Sequence, residues 1–229
     1  MNIKIQYCFK IGESSDEVID VEIDSDTGEL QPDEKNIKPD WARLEFHQCS
    51  NCPLKPETTP YCPVAVNLNR VIGRFEKIFS SDHLNLAVRM DDRIIEINTT
   101  AQRALSSIIG LLFATSTCPH TSFLKPMARF HKPLTSVEET IFRVTSMYLL
   151  GQYFLNNDGK DIDFKLEGLK KNYENLHLIN SFIAKRLRSI TQTDSSINAI
   201  VVLDTFTNFV PSTIDQKLVE LKNLFSHYR

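Results

Sequence analysis

Long apolar runs are missing from this 229-residue chain. The longest, such as "SIIGLLFA" at 107–114, fall far short of the roughly 20 residues that span a bilayer, so no membrane helix is expected. The start, "MNIKIQYCFKIGESSDE", alternates apolar and polar residues and lacks the continuous apolar block of a signal peptide. A cytoplasmic location is the resulting expectation, one in which thiols stay reduced and clustered cysteines suggest metal binding rather than disulfides. Catalytic signatures are missing as well. There is no P-loop, dinucleotide fingerprint, G-x-S-x-G or H-E-x-x-H. The C-x3-C-x2-C spacing of radical S-adenosylmethionine chemistry is absent. So is the C-x2-C-H of c-type heme attachment, because Pro53 follows Cys52. No internal repeat or low-complexity tract occurs.

Charge of one sign is concentrated in one place. Residues 11–40 hold eleven acids against Lys35 and Lys38, a local balance of −9 in a chain whose net charge is −3. The compensating positive charge is spread along the rest of the chain. It makes no nucleic-acid footprint, and no nucleic-acid partner is expected. The acidic stretch reads as a solvated hairpin and linker.

Alternation over 2–30, with turn chemistry at Asp26-Thr27-Gly28, predicts an antiparallel ribbon. Four prolines in 41–63 forbid a regular helix there. Helical spacing resumes over 64–79, and "LNLAVRMDDRIIEINTT" predicts a hairpin across Asp91-Asp92. A mostly apolar core helix, "AQRALSSIIGLLFATST", runs straight into Cys118-Pro119-His120. After a basic loop at 121–134, Thr135 or Ser136 followed by Glu138 or Glu139 gives a capping signature for a long helix. Residues 164–190, 195–208 and 212–227 read as three more amphipathic helices. The expected fold class is α+β: small antiparallel strands and a cysteine-bearing loop in the N-terminal half, and a helical C-terminal half. Residues 1–134 form the cofactor-binding region, with 135–229 packed on it as one compact unit.

Cysteine is scarce, with five in the chain, yet four fall into C-x2-C-x9-C followed by C-P-H: Cys49, Cys52, Cys62 and Cys118. A C-x2-C pair lets two thiolates converge on one ion or cluster from a single turn. Cys8 lies alone within an alternating strand and reads as a packing residue. Cys52, Cys62 and Cys118 are each followed by proline, which makes up only 10 of 229 residues. At roughly 5% proline per position, three such pairs among five cysteines arise about once in a thousand chains. The repeated Cys-Pro resembles the end of the ferredoxin cluster run, although the contiguous ferredoxin spacing is absent. It also resembles heme-regulatory dipeptides.

One close pair and two singletons on separate loops suit a [4Fe–4S] cluster, with zinc as the alternative cofactor. His47 and His120, each two residues from a cysteine, are candidates for a substitute ligand or for a hydrogen bond to sulfur. Lys125, Arg129 and His131 lie in an acid-free loop that could offset a tetrathiolate charge, bind an anion, or simply be solvated. Glu174 and His177 form a single E-x-x-H where a di-iron bundle needs two. "AKRLR" at 184–188 reads as an exposed helix end.

The function expected is a redox- or gas-responsive iron–sulfur sensor or regulatory adaptor. It would act through a protein partner, or through self-association, by way of its C-terminal helices. The alternatives are a structural zinc interaction module and an enzyme with an open ligand position.

Overall fold

The computed structural model describes residues 2–12, 16–33, 37–75, 77–190 and 194–228. Within the acidic segment, residues 13–15 and 34–36 lie outside the described residues. Strand alternation sorts β1 (Asn2–Lys10) into a buried row, Ile5, Tyr7 and Phe9, and an opposite row that includes Cys8. β1 pairs with β2 (Glu17–Asp24), placing Tyr7 opposite Ile19, and with β3 (His83–Met90), placing Tyr7 opposite Val88. β4 (Arg93–Thr100) follows β3 through the two-residue Asp91-Asp92 turn. The sheet order is β2-β1-β3-β4, with every neighbouring pair antiparallel.

The turn after β2 shows why glycine stands at 28. The Asp24 carboxylate accepts the amides of Asp26 (2.9 Å) and Thr27 (2.8 Å), and Gly28 has φ +69°. A Cβ there would also lie 2.9 Å from the Lys125 Cβ. Left-handed backbone and close approach both require glycine.

The described residues also form the α-helices α1 (Pro63–Leu68), α2 (Ala101–Ala114), α3 (Lys125–Arg129), α4 (Val137–Asn157), α5 (Glu167–Arg188) and α6 (Asp194–Leu221), α1 lying between β2 and β3 in the chain. α2 is buried on most of its circumference, between the sheet strands β3 and β4 on one side and α6 on another. This placement explains its nearly continuous apolar sequence. α5 and α4 also pack on α6. Ser136 caps α4 by accepting the Glu139 amide at 3.1 Å, as the capping signature predicts.

The fold is α+β, with the sheet early and helices dominating the second half. Three elements differ from the periodicity reading. The helix expected over 64–79 stops at Leu68 and continues as turns containing Gly73 at φ +95°. The side chains of Asn67 and Asn69 there bond the carbonyls of Leu112 and Ile37. The helices expected at 195–208 and 212–227 are joined in α6 as far as Leu221, with a 3-10 helix from Lys222 to Tyr228 beyond it. The two limbs, Asp194–Thr205 and Val210–Tyr228, are bent by 52° next to Pro211, which removes an amide from the ladder without ending the helix. The basic loop contains a short 3-10 turn, Ser122–Leu124, and then α3.

No single helix among the described residues is long and apolar enough to cross a membrane. The two limbs of α6 reach that length and apolarity only around their bend, and Ala199, Ile200, Val210 and Ile214 are buried in the core.

Leu105 on α2 is fully buried, whereas Ile94 on β4 is 61% exposed. Leu105→Ala should cost about 2–5 kcal/mol in equilibrium urea denaturation, and Ile94→Thr should stay within about 0.5 kcal/mol of the parent.

Candidate functional site

The chain between 42 and 62 closes on itself. The Leu44 amide donates to the Pro60 carbonyl (2.9 Å) and the Cys62 amide to the Ala42 carbonyl (2.8 Å), with Arg43 opposite Tyr61 in an antiparallel bridge. This neck holds out a loop carrying Cys49 and Cys52, joined in a turn by the Cys52 amide and the Cys49 carbonyl at 3.1 Å. Cys62 stands immediately before α1, and Cys118 lies just beyond the end of α2.

The fold brings these four cysteines into one neighbourhood. Charge on Cys49 is felt from Cys62, Cys52 and Cys118, and Cys118 in turn senses Cys62 and Cys52. Cys62 and Cys118 are buried, Cys49 and Cys52 half-buried, and all five cysteines of the chain are free thiols. Cys8 stays apart on the sheet, its sulfur meeting Gln6 Oε1 at 3.5 Å and Arg89 Nη1 at 3.3 Å. No group of three or more His, Cys, Asp or Glu among the described residues is drawn together tightly enough to hold a metal ion.

Proline after cysteine now has a physical explanation. At Cys62 the amides of Ala65 and Val64 favour the thiolate, and at Cys118 the amides of His120 and Thr121 do so. In both cases these are the residues two and three positions on. Pro63 and Pro119 occupy the position between, where a missing N–H costs nothing and a fixed φ suits the first residue of a helical turn. Each sulfur thus sits on the donor end of a short turn.

Arg186, near the C-terminal end of α5, is the site's cation. It is 1% exposed. Its Nη1 donates to the carbonyls of Trp41 (2.9 Å) and Arg43 (2.7 Å), and its Nη2 to that of Leu44 (2.9 Å), so the guanidinium grips the neck of the cysteine loop. Nε is buried without a hydrogen-bond partner, and no carboxylate among the described residues pairs with the group. The negative charges it would meet are those of Cys62, Cys49 and Cys52. The sequence reading of 184–188 as an exposed helix end is corrected here. Lys185 and Arg188 are exposed, but Ala184, Arg186 and Leu187 face inward. Helical phase at the end of α5 was the available signal, because Ile179, Ile183, Arg186 and Leu187 lie on one face.

Without a bound centre the balance of charge is poor. Burial pushes the Cys49 thiol up to about 12 and the Cys118 thiol to about 11, and it also raises Cys62. Neutral thiols then surround a buried cation. Coordination to a metal centre would deprotonate them and supply the missing negative charge.

The histidines separate. His120 Nε2 donates to the Asn51 carbonyl at 2.8 Å, tying the turn after Cys118 to the Cys49–Cys52 loop, and the Asn51 amide nitrogen reaches Asn175 on α5 at 2.9 Å. His47 is exposed, at φ 48°, with its ring edge-on to Phe46. The basic loop finds partners elsewhere: Lys125 pairs with Glu29 at 2.7 Å, Arg129 donates to the Ser25 carbonyl, and His131 Nε2 meets the Tyr7 hydroxyl. His177 pairs with Asp204 between α5 and α6.

These raised thiols set a pH dependence. Their folded-state pKa values lie above that of an unfolded thiol, so the unfolded chain releases protons first as pH rises, and stability falls. The metal-free chain should lose stability from about pH 9 upward. A Cys49→Ser, Cys118→Ser variant should show a shallower decline, compared by urea midpoints at pH 7, 9 and 10.5. Arg186→Ala should destabilise the parent by about 1–3 kcal/mol, because the carbonyls of Trp41, Arg43 and Leu44 lose their donor, with Arg186→Lys recovering only part of this because an ammonium cannot reproduce the fork.

Comparison with curated proteins and with solved structures returned no match. Residues 4–226 match a family described as Domain of unknown function (DUF6901), so the sheet, the cysteine loop and all six helices fall within a single family unit. The chain belongs to the DUF6901 family.

Proposed function

We propose that this chain is a cytoplasmic iron–sulfur protein in which Cys49, Cys52, Cys62 and Cys118 hold a [4Fe–4S] cluster. The cluster would serve a regulatory role, with its gain or loss changing a surface offered to a protein partner. The observation that carries the reading is a buried Arg186 without a carboxylate beside four gathered thiols. Such a cation calls for a permanent anionic centre, and a tetrathiolate cluster supplies one. Zinc would need sulfurs about 3.8 Å apart, given a 2.3 Å Zn–S bond. One close pair and two single cysteines on separate segments suit the larger cubane better than the two close pairs usual for structural zinc. Five free cysteines fit a reducing compartment.

The regulatory part rests on how the ligands are distributed. Three come from the loop between 49 and 62 and the fourth from the end of α2, so a shared centre joins segments that otherwise meet through the Asn51–His120 bond and core packing. Removing the centre would leave neutral thiols and an uncompensated guanidinium at the neck. A partner surface is available on the helical half. Phe142, Leu150, Tyr153 and Phe154 of α4 are 43–58% exposed, more large apolar side chains than a free helix face usually shows.

Protein purified without oxygen should be brown, absorb at about 400 nm and carry about four iron and four acid-labile sulfide per chain. Serine at any of the four positions should lower that content, whereas Cys8→Ser should leave it unchanged. One zinc per chain without sulfide would replace the cluster with the structural alternative. Stripping the iron should speed limited proteolysis within 45–59; equal cleavage of loaded and stripped protein would remove the switch.

A further inference from the structure

A cavity of about 210 Å³ lies among α2, α3, α4, α5 and α6, away from the four cysteines. Its wall is mainly apolar, with Leu111, Met127, Leu176 and Leu203 on different helices. Three cations line it, Arg103, Lys132 and Arg143, and no aspartate or glutamate does among the described residues. Lys132 is neutralised by Glu139 at 2.6 Å. Arg143 uses one nitrogen on the Phe130 carbonyl (2.6 Å) and keeps its other donors. The Arg103 guanidinium has no hydrogen-bond or ion-pair partner among the described residues.

A hydrogen-bonded chain reaches the same wall. Burial raises the Tyr7 pKa, so Tyr7 is a phenol, and burial lowers His131 to about 3, so its imidazole is neutral. The Tyr7 hydroxyl shares one hydrogen bond with His131 Nε2 and another, at 2.9 Å, with the Ser107 hydroxyl. Ser107 and His131 both line the cavity. An apolar chamber whose described lining holds arginines and hydroxyls, with the neighbouring Glu139 paired to Lys132, suits an anion on a hydrocarbon.

We propose that this cavity binds a small amphiphilic carboxylate, with its headgroup at Arg103 and Arg143 and its hydrocarbon against Leu111, Met127, Leu176 and Leu203. The acid-free basic segment of the sequence supplies part of this site through His131 and Lys132, while Lys125 and Arg129 serve to hold the β2 turn.

Isothermal titration of the full chain at pH 7.5 with hexanoate, octanoate, decanoate and decanol tests this. Affinity should rise roughly threefold to fourfold per methylene until the chamber is full, and decanoate should bind at least about tenfold more tightly than decanol. Arg103→Met, at an exposed position, should weaken decanoate several-fold. Met127→Trp, which fills the chamber, should abolish binding while circular dichroism shows the fold retained. The proposal is overturned if decanol binds as tightly as decanoate, if Met127→Trp binds normally, or if the folded parent binds no decanoate at millimolar concentration.

Discussion

A guanidinium with almost no exposed surface must find both hydrogen-bond acceptors and negative charge nearby, because removing either leaves a cost of several kcal/mol. Arg186 finds the acceptors in three successive-segment carbonyls, those of Trp41, Arg43 and Leu44. In doing so it fastens the end of α5 to the neck of a loop more than 140 residues earlier in the chain. The negative charge is what the isolated polypeptide does not supply. Among the described residues, the cysteines Cys62, Cys49 and Cys52 are the groups placed to provide it.

The remaining features of the site follow from that imbalance. Amides two and three residues beyond Cys62 and Cys118 are aimed to stabilise thiolates, and proline between sulfur and donors shapes the turn. His120 spends its Nε2 proton on the Asn51 carbonyl, which keeps the two cysteine segments in register with each other. Desolvation works against ionisation of the thiols, while Arg186 and these amides favour the thiolate form.

The same two helices that serve the cysteines also wall the chamber. α2 contributes Ser107 and Leu111 to it before running on to Cys118, and α5 contributes Leu176 before reaching Arg186. Helices packed on α6 thus reach both places. Pro211 leaves α6 bent around this packing rather than divided, since burial of Val210 and Ile214 outweighs one lost backbone bond.

Much of this was legible in the residues. Alternation in β1 to β4, the apolar run of α2 and the capping box of α4 are local patterns, and local patterns survive folding. The four cysteines stood out by spacing and by their prolines. Periodicity misjudged the stretch after Leu68, because Asn67 and Asn69 satisfy backbone groups of distant segments that no window contains. It also gave Arg186 to solvent with its neighbours. By itself the sequence determined the α+β order and singled out the thiols, since both depend on neighbours in the chain. The tertiary structure alone decided which arginine loses its water and which cations face a chamber. Burial of a charge depends on what several remote segments place around it, and that is a property of packing.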